Sequence, residues 1–217
     1  MEGIRFRTED GVLLEGEIRL PEGVPRASAV LCHPHPRHGG SKDHPLLWAI
    51  RNQLAALGFG VLTFNFRGVM GSEGTYGGGV TEVADVRAAV GRVLDDAPSP
   101  TLVCGWSFGA YVALHEALED ERVGALGLVG PPLGETQLGL PEMPGRSALR
   151  GFDRPVLLLA GEADQFCPVP ELKAMGRKLP RATVRVVENA DHFFWRRERE
   201  AATIIGEFAN GALLSSR

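Results

Sequence analysis

A serine lies between two glycines in the stretch CGWSFGAY, where Gly105, Ser107 and Gly109 form the pattern G-x-S-x-G. A short apolar run precedes this serine, and an apolar stretch with helical spacing follows it. A sharp turn from strand to helix exposes a serine hydroxyl as a nucleophile, and the flanking glycines leave room for close packing. Serine is also common in an ordinary turn before a helix. The pattern alone therefore leaves two interpretations of Ser107, a nucleophile or a small turn residue.

A serine hydroxyl becomes a good nucleophile when a histidine takes its proton and an acid orients that histidine. Asp164 follows the apolar run PVLLLAG, and His192 follows the run ATVRVVEN. We predict that Ser107, Asp164 and His192 form a catalytic triad, although a turn aspartate and a surface histidine are simpler interpretations of two of them. Glu162 and Asp191 are alternative acids. Glu162 lies closer to the end of its strand, and Asp191 directly precedes the histidine, so Asp164 is favoured.

Strands and helices alternate along the chain around these three residues. Two alternating stretches, 4–8 and 12–20, flank the turn sequence EDG and predict an antiparallel hairpin. Further strands are predicted at ASAVLCH, FGVLTFNF, TLVCG, VGALGLV, PVLLLAG and ATVRVVEN, and helices at 42–57, 80–94, 107–118, 170–179 and 195–209. This order predicts an α/β fold with a mostly parallel eight-stranded sheet and helices on both faces. The three residues would then meet at the carboxyl edge of the sheet.

The sequence contains no internal repeat and no linker, so residues 1–217 are predicted to form a single domain. The longest irregular stretch, 130–152, is rich in glycine and proline. Loops of this length are usually functional or mobile. We predict that this stretch is a small lid or a pocket wall.

Composition excludes several function classes. The 217 residues carry a formal net charge of −4, which offers no basic surface for nucleic acid or an anionic membrane. No stretch approaches 18 apolar residues and the N-terminus lacks an apolar signal segment, so the prediction is a cytoplasmic protein without a membrane partner. The three cysteines lie far apart and predict no disulfide framework. The dinucleotide and phosphate-loop patterns are absent, so no cofactor is predicted.

The sequence resembles the α/β-hydrolase superfamily over nearly its whole length. The resemblance rests on GWSFGA, on the order Ser, Asp, His along the chain, and on the stretches GEADQFCP, NADHFF and NFRGVMGSEGTYGGG. It is similar to small, nearly lidless hydrolases such as dienelactone hydrolases and serine carboxylesterases, which often carry a stretch like HPHPRHGG. Dienelactone hydrolases have cysteine at the nucleophile turn, whereas this chain has Ser107. The resemblance therefore implies esterase chemistry.

Backbone N–H groups are the expected donors to the negative charge that develops on the substrate oxygen. The helix after Ser107 directs its positive end at the nucleophile, and the N–H of Phe108 is one candidate. In hydrolases of this fold the second donor comes from the loop after an earlier strand, here CHPHPRHGG. The prolines of this loop have no N–H, which leaves His33, His35 and Arg37. The usual layout of the fold favours His35.

The same loop has a second interpretation, because His33, His35 and His38 have the spacing H-x-H-x-x-H. This spacing is similar to the metal-binding pattern of metallo-β-lactamase-fold hydrolases. Arg37 stands where that pattern has an aspartate, and a guanidinium cannot bind a metal ion. We therefore predict no metal.

Two other side chains in NFRGVMGSEG are assigned structural roles. Arg67 is predicted to tie its loop to a carboxylate such as Glu82 or Asp85 rather than to act on substrate. Ser72 lies among glycines but lacks a strand before it and a helix after it, so a turn role is predicted.

Several bulky side chains adjoin the predicted triad. An acyl pocket is predicted to be shaped by Trp106, Phe193, Phe194 and Trp195, with Cys167 at its edge. Aromatic residues next to a turn or a helix start are also commonly part of the core. The two remaining cysteines, Cys32 and Cys104, are predicted to be buried as small apolar residues.

These observations predict a serine hydrolase that cleaves carboxylic esters through an acyl-serine intermediate. Small acyl groups are favoured because little chain remains to enclose a long acyl tail. The same triad would also serve a peptidase, an amidase or a thioesterase. A hydrolase fold that binds a ligand without turnover is the alternative from a different class. The expected partner is a small ester, and the sequence is compatible with a homodimer.

Overall fold

One mixed sheet forms the centre of the computed structural model, which describes residues 2–134 and 139–214. Its strands are β1 (Glu2–Arg7), β2 (Leu13–Arg19), β3 (Ala27–Cys32), β4 (Phe59–Phe64), β5 (Thr101–Trp106), β6 (Val123–Val129), β7 (Val156–Gly161) and β8 (Ala182–Val187). The strand order in this eight-stranded sheet is β1-β2-β4-β3-β5-β6-β7-β8. The β1–β2 and β2–β4 pairs are antiparallel, and the remaining pairs are parallel. The predicted sheet and its N-terminal hairpin are confirmed.

Helices cover both faces of the sheet, as the alternating pattern predicts. They are α1 (Pro45–Ala56), α2 (Glu82–Leu94), α3 (Phe108–Glu119), α4 (Arg146–Gly151), α5 (Val169–Gly176) and α6 (Glu198–Leu213). Apolar residues of α1 and α6 form the core on one face, and those of α2, α3 and α5 form the core on the other. Strands β3, β4, β5 and β7 are buried along their whole length, because both of their faces are covered. Within the described ranges, no helix has the length and apolar character needed to span a bilayer.

The short helix α4 was not predicted from the sequence. It is six residues long and lies in the stretch 130–152, which has no helical periodicity. Leu149 is its buried residue and packs into the core of the face that carries α5. One apolar contact per turn is too weak a pattern to be recognised in sequence.

The loops after β7 and β8 contact each other backbone to backbone. A Cβ atom on Gly161 would lie 2.3 Å from the carbonyl oxygen of Ala190, so a larger residue would push the two loops apart. The N–H of Ala163 donates to that same oxygen at 2.9 Å. These contacts hold the segments that carry Asp164 and His192 side by side.

Arg67 ties the loop after β4 to α2, as predicted. Its guanidinium donates to Asp85 through Nε at 2.8 Å and through Nη2 at 2.7 Å, and its backbone N–H donates to Asp85 at 2.9 Å. A second carboxylate, Asp10, accepts from Nη1 at 2.8 Å. The alternative partner Glu82 instead accepts the N–H groups of Gly77 and Gly79. Arg67 therefore bridges two carboxylates, of which Asp85 is fully buried.

His33 fastens the loop after β3 to the end of β4. Its Nε2 accepts the N–H of Phe66 at 3.0 Å, and its Nδ1 lies 2.6 Å from the carbonyl oxygen of Pro34. A carbonyl oxygen only accepts, so the ring proton resides on Nδ1 and the imidazole is neutral. Burial lowers the pKa of His33 to about 4. The ring is thus a structural hydrogen-bonding group with both nitrogens in use.

Replacing Arg67 by alanine would leave the buried Asp85 without its partner. We expect the free energy of unfolding of Arg67→Ala to fall by about 3–5 kcal/mol, since removing one member of a buried ion pair has that cost. Urea denaturation monitored by circular dichroism measures this change. Arg92→Ala is the matched control: Arg92 pairs with exposed Asp95 and with Asp96 at the end of α2. It should lose less than about 1 kcal/mol. Equal losses in the two variants would contradict the bridging role of Arg67.

His33 should also make stability depend on pH. A histidine in the unfolded chain has a pKa of about 6.5, so the unfolded state binds the proton more readily than the folded state. The neutral His33 ring therefore contributes to the free energy of unfolding in full above the unfolded-state pKa of about 6.5. This contribution is lost as the pH falls towards the folded-state pKa of about 4, by on the order of 3 kcal/mol in total. His33→Gln should be less stable at pH 7.5 but should lose less stability on acidification. The measurement is urea denaturation at several pH values between 7.5 and 4.5.

The control for this titration is His38→Gln, because His38 is exposed in the same loop. It should lose stability on acidification as the wild type does. Parallel losses in His33→Gln and wild type would show that His33 is not the responsible group.

Candidate active site

Ser107 occupies a strained turn between β5 and α3. Its φ is 56° and its ψ is −116°, a conformation that residues with a side chain rarely adopt. A Cβ atom on Gly105 would lie 2.1 Å from the carbonyl oxygen of Gly109, and one on Gly109 would lie 2.3 Å from that of Cys32. Both glycines are therefore required for the backbone packing around the turn. The Ser107 side chain is not a hydrogen-bonding cap of α3, which argues against an ordinary turn role.

Asp164 and His192 form a hydrogen-bonded pair. Nδ1 of His192 lies 2.9 Å from each carboxylate oxygen of Asp164. The carboxylate accepts, so Nδ1 carries the proton and Nε2 is the nitrogen left to take another. Oδ1 of Asp164 also accepts the N–H groups of Phe166 and Cys167, each at 2.9 Å. The turn after β7 thereby fixes the carboxylate, and the carboxylate fixes the imidazole.

The two alternative acids have other partners. Glu162 accepts the backbone N–H of Asn189 at 3.1 Å, and Asp191 accepts that of Phe193 at 2.9 Å. Both are loop contacts. Asp164 is the carboxylate that contacts His192.

Ser107 and His192 line one cavity of about 400 Å³ at the carboxyl edge of the sheet. Ser107 is only 5% exposed, so the hydroxyl lies deep in this cavity. Of the four aromatic residues predicted to shape a pocket, Trp106, Phe193 and Trp195 line it, and so does His35. Phe194 is instead buried in the core. Further lining residues that the sequence did not single out as pocket residues are His38, His44 and Phe166. Among the described residues, none that lines the cavity carries a carboxylate, an ammonium or a guanidinium group.

The two residues predicted to supply oxyanion donors adjoin Ser107 differently: Phe108 follows it in the chain, and His35 lines the same cavity. Phe108 is the first residue of α3, where backbone N–H groups have no intrahelical acceptor. The His35 and Phe108 rings are 5.3 Å apart between centroids. Nδ1 of His35 accepts the N–H of Arg37 at 3.2 Å, and its Nε2 lies 3.1 Å from the hydroxyl of Tyr76. The His35 side chain is therefore held from both nitrogens.

Trp106 supports the histidine in addition to lining the cavity. Its Nε1–H donates to the backbone carbonyl of His192 at 3.1 Å. The indole is fully buried and its centroid lies 5.9 Å from that of the imidazole. Trp106 thus links the turn of the candidate nucleophile directly to the loop of the candidate base.

Gly130 is a site residue that sequence reasoning missed. It follows β6, has a φ of +49°, and donates its N–H to the carbonyl of Leu159 at 2.7 Å. A Cβ atom there would lie 3.0 Å from Oδ2 of Asp164 and 3.0 Å from Cε1 of His192. The sequence signal was a glycine directly before two prolines at the end of an apolar run. Its absent side chain leaves space for the Asp164–His192 pair.

Two further expectations about the pocket need correction. Cys167 is fully buried in the core and does not line the cavity, because its N–H bonds to Asp164 and the turn directs the side chain inward. Burial raises the pKa of its thiol. None of the described residues of the stretch 130–152 lines the cavity either, and 135–138 lie outside the described residues. Part of the stretch instead lines a separate cavity beside α5.

The histidine-rich loop is arranged for packing rather than for metal binding. Both nitrogens of His33 are engaged with backbone groups, and His35 and His38 stack edge to face at 4.6 Å. No group of three His, Cys, Asp or Glu residues in 2–134 and 139–214 could hold a metal ion. The metal-binding interpretation of H-x-H-x-x-H has no support in this geometry.

Comparison with known proteins gives the same fold. An alpha-beta serine hydrolase homologue from Coxiella burnetii is 29% identical, with 95% of this chain and 96% of that chain covered and a TM-score of 0.83. A lidless a/b serine hydrolase from Xanthomonas campestris is 25% identical, with 100% and 96% covered and a TM-score of 0.82. An uncharacterized protein of Rickettsia prowazekii is 27% identical over 216 residues, which cover 96% of this chain and 88% of that protein.

The family model described as the alpha/beta hydrolase domain matches residues 26–214, from the start of β3 to the end of α6. The matched range contains every strand of the parallel part of the sheet together with Ser107, Asp164 and His192. The expected resemblance is confirmed, and the chain belongs to the α/β-hydrolase family.

Proposed function

We propose that this protein is a serine esterase that hydrolyses carboxylic esters with small acyl groups through an acyl-serine intermediate. The observation that carries the proposal is the strained Ser107 turn in a cavity that also contains His192, whose imidazole Asp164 orients. Backbone strain of this kind persists at sites where the geometry has a use. The named serine hydrolase relatives, at 29% and 25% identity, support the use of a serine nucleophile.

The proposed ester hydrolysis uses Nε2 of His192 as the base, because Nδ1 is bonded to Asp164. Nε2 of His192 takes the proton of Ser107 as Oγ bonds to the ester carbonyl carbon, and the carbonyl electrons move to its oxygen. The N–H groups of Phe108 and His35 donate to that oxyanion. The intermediate then expels the alkoxide, which takes the proton from His192 and leaves as the alcohol. Asp164 remains ionised throughout and stabilises the imidazolium.

Water completes the cycle on the acyl-serine. His192 takes a proton from the water as its oxygen bonds to the acyl carbon, and then returns that proton to Oγ of Ser107. The carboxylic acid leaves and the free serine is restored. Each half of the cycle uses the same base and the same oxyanion donors.

The cavity favours small, uncharged acyl groups. Its volume is about 400 Å³, near the lower end of the range for ligand pockets. The described part of 130–152 does not cover it, so a long acyl chain would extend into solvent. Amide and thioester cleavage would use the same three side chains, Ser107, Asp164 and His192. Hydrolysis of an amide and of a thioester is therefore compared with hydrolysis of the ester.

Ser107→Ala should lower kcat for p-nitrophenyl acetate by on the order of 10⁴ or more, because the acyl acceptor is removed. Wild type should prefer acyl chains of two or four carbons over eight and twelve. The measurement is release of p-nitrophenol from the four esters with a chelator present.

Ser72→Ala is the control for that substitution. Ser72 is a buried serine among glycines that accepts the N–H of Glu15 and donates to the carbonyl of Asn65, so its role is structural. The folded Ser72→Ala protein should retain kcat within about threefold of wild type. Retention of more than a tenth of wild-type activity by Ser107→Ala would refute the proposed nucleophile.

Gly130→Ala should lower kcat about 10-fold to 100-fold with little change in KM, because the added methyl group would displace the Asp164–His192 pair. Gly139→Ala is a matched control, since Gly139 also has a positive φ, of +64°, but a Cβ atom there meets nothing within 4 Å. Steady-state kinetics with p-nitrophenyl acetate compares the two. If both variants kept the wild-type kcat, Gly130 would have no positioning role.

A further inference from the structure

Aromatic rings form a continuous wall on one side of the active-site cavity. We define this aromatic wall as Trp106, His44, Trp195 and Phe193. Neighbouring ring centroids lie 4.3 Å apart for His44–Trp106, 6.4 Å for His44–Trp195, 6.4 Å for Phe193–Trp195 and 6.2 Å for Trp106–Phe193. The four rings thus close a circuit of contacts, and all four line the cavity.

Two rings of the wall are unusually exposed. Trp195 is 59% exposed and Phe193 is 39% exposed, whereas Trp106 is buried below them. Contiguous exposed apolar side chains beside a cavity are typical of binding surfaces. The rings extend from buried Trp106 to exposed Trp195, so they would contact a group that projects outward from Ser107.

The backbone after His192 contains two strained residues next to these rings. Phe194 and Arg196 have φ values of 54° and 61°, which residues with a side chain rarely adopt. The Phe194 ring is buried in the core, while the rings before and after it both line the cavity. Burial of Phe194 anchors this segment in the core, so Phe193 and Trp195 are fixed beside the cavity.

The wall adjoins His192, the proposed base. In ester cleavage the departing oxygen receives its proton from His192, so the alcohol part must pass this residue. The imidazole centroid of His192 is 5.9 Å from Trp106 and 5.6 Å from Phe193. His35, whose N–H is the proposed oxyanion donor, contacts Phe108 and His38 instead.

The wall presents aromatic rings, and no Asp, Glu, Lys or Arg lies among the described residues that line the cavity. An ionic group would therefore have no carboxylate or guanidinium among these residues to pair with. Burial also lowers the pKa of His44, so its ring is neutral at neutral pH. Aromatic pairs gain a further attraction beyond the area they bury when they stack with an offset or edge to face.

We propose that the aromatic wall binds an uncharged aryl group in the alcohol part of the ester, so that the substrates are small-acyl esters of arylmethyl alcohols or similar aromatic alcohols. A preference in kcat/KM for aryl esters rests on the proposed ester hydrolysis, whereas the binding of an aryl alcohol to the wall does not. Trp195 and Phe193 are then specificity-determining residues.

Benzyl acetate and cyclohexylmethyl acetate test the proposal, because their alcohols have similar size and leaving ability but differ in aromaticity. We expect wild-type kcat/KM, divided by the rate of hydroxide-catalysed hydrolysis of each ester, to favour the benzyl ester about fivefold. Trp195→Ala should lower this ratio to below about twofold. A wild-type ratio near one, or an unchanged ratio in Trp195→Ala, would overturn the proposal.

Trp48→Ala is the matched control variant. Trp48 is 57% exposed on α1, close to the exposure of Trp195, but it does not line the cavity. Its removal should leave the ratio of the two esters at the wild-type value. If Trp48→Ala lowered the ratio as much as Trp195→Ala does, the preference would be a general effect of surface aromatic residues, and the proposal would be overturned.

A binding measurement separates this proposal from the proposed function. Ser107→Ala protein is titrated with benzyl alcohol and with cyclohexylmethanol, and ligand binding is followed by NMR. We expect benzyl alcohol to bind about fivefold more tightly, and the difference to disappear when Trp195→Ala is added. Equal binding overturns the aromatic wall whether or not esters are cleaved. A binding preference without turnover of either ester supports the wall and contradicts the esterase proposal.

Discussion

The active site depends on the close approach of backbones at three glycines. Gly105 and Gly109 let β5, the start of α3 and the end of β3 meet at distances that no side chain would permit. Gly161 lets the loop after β7 lie against the loop after β8 in the same way. The first contact sets the turn of Ser107, and the second sets the Asp164–His192 pair. Because these are rigid backbone contacts, the site is organised before any substrate enters.

Electrostatics follow from this packing. Asp164 is buried but receives N–H groups from its own turn and from His192, so its charge is compensated by hydrogen bonds. His33 occupies a similar depth on the other side of the nucleophile, and it stays neutral because both nitrogens bond to backbone. The two buried histidines therefore differ in partner rather than in depth. His192 is paired with a carboxylate and can take a proton, whereas His33 has a structural role because both of its nitrogens bond to backbone groups.

Sequence patterns predicted the strands and helices, because these elements have a regular periodicity of apolar residues. Apolar runs identified the strands, and the position of Ser107, Asp164 and His192 just after three of them predicted where they would meet. The walls of the cavity did not follow from the same reasoning, because loops have no periodicity. Cys167 illustrates the limit: its N–H bonds to Asp164, which tightens the turn, so Phe166 lines the cavity and Cys167 enters the core. Gly130 was missed because its role is to leave space where a Cβ atom would contact Asp164 and His192, and a sequence pattern does not show such space.

The strained segment after His192 shows how one loop can serve both stability and recognition. Phe194 fills the core on the face of α1 and α6, and its burial offsets the cost of a left-handed φ, which is about 1–2 kcal/mol. The rings of its two neighbours, Phe193 and Trp195, line the cavity. A sequence with glycine at this position would adopt the turn more easily but would lose the anchor. Phe194 is therefore the core anchor of the loop that carries Phe193 and Trp195 at the cavity.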